Sequence, residues 1–219
     1  SSFGFQMLSI VVSWQIYSIT GRAFDLGLIG LVQFLPSVAL ALVAGHVADQ
    51  FDRRRVVLLG QIAEWVAIAA LAYLTLTHHV NEVIVLGLIF VISTAKAMEA
   101  PSLQSMLPAL VPPNLLARAM AANSVSGQAA SMVGPALGGF LYVAGAGVAY
   151  AVCACLYLLS IVMVSRLRYE QVPPRRVPAT FKTLFAGIGF IRARPDVLGV
   201  ISLDLFAVLL GGATALLPI

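Results

Sequence analysis

Four ionisable side chains, Glu64, Lys96, Glu99 and Asp204, sit inside stretches that otherwise read as hydrocarbon. At the centre of a bilayer each would cost at least ~2.5–3.5 kcal/mol unless paired or wet. Lys96 and Glu99 stand three residues apart, so they can pair along one helix. Glu64 and Lys96 lie at similar depth in consecutive spans, so they can also pair across a hairpin. The sharper chemistry is proton exchange. A carboxyl in a gated cavity can take up and release a proton as its access changes, which makes Asp204, Glu99 and Glu64 candidates for proton coupling.

A second constellation is GHVADQFDRRRVV, residues 45–57, with Asp49, Asp52, Arg53, Arg54 and Arg55 between two nearly uncharged runs. Asp49 follows the C-terminal end of one helix and the arginines begin the next. That polarity opposes both helix dipoles. The charges therefore need partners elsewhere, either one another or a facing helix end. A cluster made in one conformation and broken in another is a gate; the plainer reading is that three arginines obey the positive-inside rule. Gly45 and Ala48 in the lead-in would permit close helix contact. So short a turn would make its two helices antiparallel neighbours.

A third is Gly127-Gln-Ala-Ala-Ser-Met-Val-Gly134-Pro135-Ala-Leu-Gly138-Gly139. Gly127, Gly134 and Gly138 share one helical face with Ala130 and Ser131, and a face without bulk allows close backbone packing. Pro135 removes a backbone hydrogen bond and can kink the helix. In the first apolar run, Gln6, Ser9, Ser13, Tyr17 and Thr20 fall on one face by steps of three and four. Polar atoms facing lipid are costly, so this face should look onto a cavity or another helix.

Other chemistries lack their residues. No phosphate-cradling loop, nucleophile constellation or metal-ligand spacing occurs, so the sequence points away from an enzyme and calls for no cofactor or metal. Cys153 and Cys155 stand two apart and cannot face each other on a helix; they read as small apolar-like side chains. His46, His78 and His79 read as interface residues.

The elements that must carry these residues are membrane helices. The chain is 60% hydrophobic and 10% charged, with mean hydropathy +0.98, whereas a soluble chain has about a quarter of its residues charged. Mostly apolar runs of 18 or more residues recur, each long enough to cross ~30 Å of hydrocarbon at 1.5 Å per residue. Seven spans are expected, at 3–20, 26–48, 55–77, 82–104, 115–143, 146–165 and 197–219. A Pro-rich turn, LPALVPPN, follows the fourth. Because helices alternate in direction, Arg53, Arg54, Arg55, Arg118, Arg166, Arg168, Arg175, Arg176, Lys182, Arg192 and Arg194 share one side, and Arg22 stands alone on the other. The positive-inside rule makes the first side cytoplasmic and places the N-terminus there.

The expected domains are a six-helix bundle over 1–165, a basic cytoplasmic loop over 166–196, and the first helix of a second bundle over 197–219. Within the loop, Phe181, Leu184, Phe185, Ile188 and Ile191 fall at helical spacing beside Lys182, Arg192 and Arg194. That pattern reads as an interfacial amphipathic helix. The chain begins Ser1-Ser2 and ends inside an apolar run, so we expect a fragment of a longer polypeptide, unable to transport without its second half.

These motifs together resemble the major facilitator superfamily. Gly45-His46-Val47-Ala48-Asp49-Gln50-Phe51-Asp52-Arg53-Arg54 is similar to its loop signature between the second and third helices. Gln50 stands where a basic residue is usual and Asp52 where glycine is usual. The Asp52 variant is similar to the branch containing the enterobactin exporter and macrolide-efflux-like proteins. Gln33-x-x-Pro36, Ala100-Pro101 ending the fourth helix, Leu107-Pro108-x-Leu110-Val111 and Leu216-Leu217-Pro218 extend the likeness over the whole chain. Gly134-Pro135-x-x-Gly138-Gly139 resembles the motif enriched in the superfamily's antiporters.

The resemblance implies an all-α membrane fold: a six-helix bundle plus the seventh helix of a twelve-helix transporter in a bacterial-type inner membrane. It implies a cytoplasmic gate at Gly45, Ala48, Asp49, Asp52, Arg53 and Arg54. Helices one, four and seven would line a cavity, bringing Gln6, Ser9, Ser13, Tyr17 and Lys96 to a small-molecule substrate. The third helix would be peripheral, making Glu64 the weakest proton candidate. The expected function is proton-coupled export of a lipophilic drug or siderophore-like molecule. The alternatives are an uptake symporter or facilitator, and a non-transporting receptor or assembly factor on the same fold.

Overall fold

The computed structural model describes residues 1–167 and Gly199, apart from the side chains of Leu42, His46 and Asp49. Six α-helices run in chain order: α1 Ser2–Thr20, α2 Ala23–Gln50, α3 Arg53–Leu76, α4 Glu82–Leu110, α5 Leu116–Val143 and α6 Ala146–Arg166. A 3₁₀ turn, Pro113–Leu115, leads into α5. All of them fall in one compact unit, Ser1–Arg176. The expected amphipathic helix, the seventh span and Asp204 lie outside the described residues.

Local chemistry sets the helix ends. Gly21 adopts a left-handed conformation (φ 66°) and its N–H donates to Tyr17 O, closing α1. Such a residue carries little steric penalty only as glycine. Asp52 caps α3 by accepting from the N–H groups of Arg54 and Arg55, and Asn81 caps α4 by accepting from Ile84 N–H.

By length and hydropathy, four helices among the described residues can cross a membrane: α2 (over Ala23–Ala41), α3, α4 and α6. The other two, α1 and α5, carry the polar face and the Gly- and Ser-rich run that dilute their hydropathy. The bundle is apolar outside as well as inside. Phe24, Phe34, Leu59, Tyr73, Val83, Phe140 and Val143 are exposed, while Gln15, Gln61, Glu64 and Glu99 are buried. That distribution suits a hydrocarbon surround, where association relies on close packing and internal polar contacts.

Helix α4 packs between α2 and α3, α3 packs on α6, α6 on α1, and α1 on α5. The contacts repeat in two halves. The α1–α5 pair corresponds to α4–α2, the α1–α6 pair to α4–α3, and α3 meets α6 between them. The core is drawn chiefly from α1 (Met7, Leu8, Val11, Val12, Ile16), α3 (Ile68, Leu71), α4 (Val85, Ile89, Ile92) and α6 (Tyr150, Tyr157).

Three sequence expectations change here. The turn at residues 51–52 does not make α2 and α3 neighbours: they barely touch, and α4 takes the place between them. A short link fixes only where two helices meet, not whether their faces match. The fourth helix does not end at Pro101. It runs on through Pro101 and Pro108 to Leu110, because one proline removes one hydrogen bond and the flanking turns can hold. Finally, a Cβ on Gly45 or Gly127 would meet nothing within 4 Å, so neither glycine is required for close contact among the described residues.

Candidate functional site

The arginine-rich turn meets three helix C-termini. Arg53 Nε donates to Ala48 O at 3.2 Å, and Arg53 Nη1 donates to Ser105 O near the end of α4 at 3.1 Å. Arg54 Nε donates to Val164 O at 3.3 Å and Arg54 Nη2 to Ser165 O, both in the last turn of α6. Helix C-termini leave carbonyls without intrahelical partners and carry partial negative charge. Two guanidiniums at the start of α3 therefore neutralise the ends of α2 and α6, and Arg53 also holds a carbonyl of α4 a turn inside its end. This resolves the unfavourable polarity seen in the sequence through facing helix ends.

Asp52 is the cap of α3 and pairs with Arg55 at 3.4 Å, an exposed contact. Ala48 is buried. Asp49 lies in the last turn of α2. The opposite end mirrors the arrangement with acids at helix N-termini. Asp25 in α2 and Glu82 in α4 share Arg22, at 3.0 and 3.2 Å.

The interior holds the second constellation. Lys96 Nζ pairs with Glu99 Oε2 at 2.6 Å, along one turn of α4. Gln61 Nε2 of α3 donates to Glu99 Oε1 at 2.8 Å, and Ser1 Oγ donates to the same oxygen at 3.2 Å. Lys96 is half-buried and lies 5.8 Å from the centre of the Phe5 ring. Glu99 and Glu64 are fully buried. Gly60 supplies the closeness of α3 to α4, since a Cβ there would sit 3.4 Å from Ala95 O and Glu99 Cβ.

The cross-hairpin pairing of Glu64 with Lys96 does not form. Lys96 turns to Glu99 instead, because the i,i+3 partner lies within reach on its own helix. Glu64 faces Glu99 and Tyr157 of α6 and interacts with both, but among the described residues neither carboxyl oxygen makes a hydrogen bond of regular geometry. Lys96 also borders a cleft of about 550 Å³ shared with Ser2, Gln104, Asn123, Ser126 and Gly127.

The polar face of α1 is divided. Gln6, Ser9 and Ser13 are half-buried and Tyr17 is exposed. Ser13 Oγ donates to Ser9 O at 2.8 Å, within the helix. The helix's interhelical hydrogen bonds come from residues outside that face: Ser18 Oγ accepts from Tyr142 Oη of α5 at 3.2 Å. Gln15 is buried, donates to Thr75 Oγ1 at 2.9 Å and accepts from Tyr150 Oη. Gln15, Gln61, Tyr150 and Tyr157 were not singled out from sequence. A lone glutamine in an apolar run was the available signal for the first two.

In α5, Gly134 and Gly138 lie directly on α1. A Cβ at Gly134 would stand 2.6 Å from Gln6 Cβ, and one at Gly138 would stand 2.7 Å from Met7 O. Pro135 follows Gly134 inside the helix, and Gly139 faces open space.

These features can be set beside known proteins. A family model described as transmembrane secretion effector matches residues 1–219. An uncharacterized MFS-type transporter of Bacillus subtilis (strain 168), YfiS, is 23% identical over 218 residues, covering 95% of this chain and 51% of the relative. The chain thus spans about half the length of that curated relative. With a family match over its entire length and an all-helical bundle among the described residues, the chain belongs to the transmembrane secretion effector family of the major facilitator superfamily.

Proposed function

We propose that the polypeptide carrying this chain is a secondary active transporter. It exchanges protons for a lipophilic drug or siderophore-like small molecule and exports the latter by alternating access. The observation that carries the reading is the network of buried Glu99 and Gln61 with half-buried Lys96, with buried Glu64 beside it, in an otherwise apolar bundle. A scaffold protein has little reason to keep such costly groups. The MFS-type transporter name of the relative points the same way.

In this proposal the arginine-bearing end is cytoplasmic, in a bacterial-type inner membrane. Gly45, Ala48, Asp49, Asp52, Arg53 and Arg54 form the cytoplasmic gate. Gly127, Gly134, Pro135, Gly138 and Gly139 form an antiporter-type helix. Gln6, Ser9, Ser13, Tyr17 and Lys96 line the substrate path, and Asp204, Glu99 and Glu64 are the proton-coupling candidates. The close α5–α1 seam at Gly134 and Gly138 supports the antiporter reading.

The test uses everted membrane vesicles containing the full-length transporter, energised by respiration, with a dye reporting the pH gradient. Lipophilic cations, macrolides and catecholate siderophores are added in turn. Dequenching by one class establishes antiport. Labelled compound that equilibrates without dequenching identifies a facilitator, and neither signal points to a non-transporting receptor.

A further inference from the structure

Hydrogen-bond accounting separates the two buried glutamates. Glu99 is committed: Oε2 takes Lys96 Nζ, while Oε1 takes Gln61 Nε2 and Ser1 Oγ. Glu64 is as deeply buried, yet neither of its oxygens makes a hydrogen bond of regular geometry. Tyr157 Oη, which faces it from α6 and interacts with it electrostatically, likewise lacks a bond of regular geometry among the described residues. Buried polar atoms without partners are rare in folded proteins and call for a reason.

A proton supplies one. A carboxylate is an acceptor only, whereas a carboxylic acid gains a donor and keeps acceptor capacity. With a proton, Glu64 can donate to the adjacent Glu99 carboxylate and accept from Tyr157 Oη. Without it, Glu64 and Glu99 turn only acceptors toward each other, and Lys96 is already engaged by Glu99.

The groups facing Glu64 come from three helices. They are Gln61 of α3, Lys96 and Glu99 of α4, and Tyr157 of α6 with Cys153 a turn away. Ser1, the residue before α1, reaches the same cluster through its hydroxyl, which donates to Glu99 Oε1 at 3.2 Å.

We infer that Glu64 is the carboxyl of this bundle that takes up and releases a proton, and that Tyr157 is its positioning residue. The proton moves between Glu64 and solvent by way of the Lys96–Glu99 network, whose lysine borders the open cleft. No covalent bond other than O–H forms or breaks. The inference deepens the proposed function and rests on it for what the proton drives, but the proton site has a readout of its own.

The experiment is infrared difference spectroscopy of the purified full-length protein in lipid nanodiscs over a pH series. The C=O stretch of a protonated carboxyl is followed in parallel with vesicle dequenching. In wild type and Glu99→Gln, a protonated-carboxyl band should come and go over the pH series. It should be lost in Glu64→Gln and restored in Glu64→Asp. Tyr157→Phe should keep the band and move the pH at which it titrates.

A band that persists unchanged in Glu64→Gln overturns the inference, and an unmoved titration in Tyr157→Phe overturns that residue's role. Thermal melting of each variant separates loss of the band from loss of the fold. If the band follows Glu64 while wild type shows no coupled flux, the antiport reading fails and the proton site stands. If flux is coupled and both flux and band survive Glu64→Gln, the proton site fails and the antiport reading stands.

Discussion

Gly138 and Gly139 are adjacent residues of one type in one helix, and the structure assigns their alanine substitutions opposite outcomes. A Cβ on Gly138 would lie 2.7 Å from Met7 O, 3.1 Å from Met7 Cα and 3.3 Å from Met7 C. Ordinary contact begins at 3.4 Å, so the shortfall is ~0.7 Å against main-chain atoms of α1 that have no rotamer to yield. Forcing a methyl into such a site typically costs about 1–3 kcal/mol. Alanine also gains up to about 1 kcal/mol of helix propensity over glycine, equally at both positions. The difference between Gly138→Ala and Gly139→Ala cancels that gain and isolates the clash. At about 2–4 °C per kcal/mol for a domain of this size, the first variant should melt roughly 2–12 °C below the second. The assay is thermal unfolding in mild detergent at one scan rate, because irreversible unfolding makes the midpoint rate-dependent. Equal melting temperatures, or a Gly139→Ala less stable than Gly138→Ala, would refute the reading of α1 and α5 as a tightly closed seam.

Removing the lysine of the buried pair leaves Glu99 uncompensated. Lys96→Met should therefore cost about 3 kcal/mol, the low end of the buried-pair range because Lys96 is half-exposed. Lys96→Met with Glu99→Gln should recover most of that loss by denaturant titration. Arg54→Ala should cost about 1–2 kcal/mol and raise amide exchange at the C-terminal turn of α6, since it removes charge-assisted bonds to Val164 O and Ser165 O. Arg55→Ala removes only an exposed pair, is expected within about 0.5 kcal/mol of wild type, and serves as the control. Asp52→Ala should lose about 1 kcal/mol of capping energy, whereas Asp52→Asn should lose much less, because asparagine caps nearly as well; equal losses would assign Asp52 to charge rather than capping.

The arginines show how far a sequence can carry such an argument. Residue type alone showed that cations at the start of α3 face the wrong dipole and need partners elsewhere. Which partners could not be read, because the C-termini of α4 and α6 lie about 50 and 110 residues away in the chain. The cluster around Glu99 is similar. The i,i+3 spacing of Lys96 and Glu99 is local and legible, and that pair forms at 2.6 Å. Gln61 joins it, and Glu64 is left facing Tyr157, only because α3, α4 and α6 converge.

The sequence by itself determined what depends on contiguous residues. Six of the expected spans correspond to helices, with ends that differ by no more than three residues except at α4. A bilayer's thickness and a helix's rise convert an apolar run directly into an element. The uneven placement of arginine was equally readable. Tertiary structure decided which faces meet. It separated α2 from α3 despite their short link. It made Gly134 and Gly138 contacts while leaving Gly127 and Gly139 open, and it put Gln15 and Ser18 rather than Ser9 or Ser13 into interhelical bonds. Periodicity marks a face as small or polar. Only the packing of distant helices determines what that face touches, and that pairing depends on the shape of every neighbour at once.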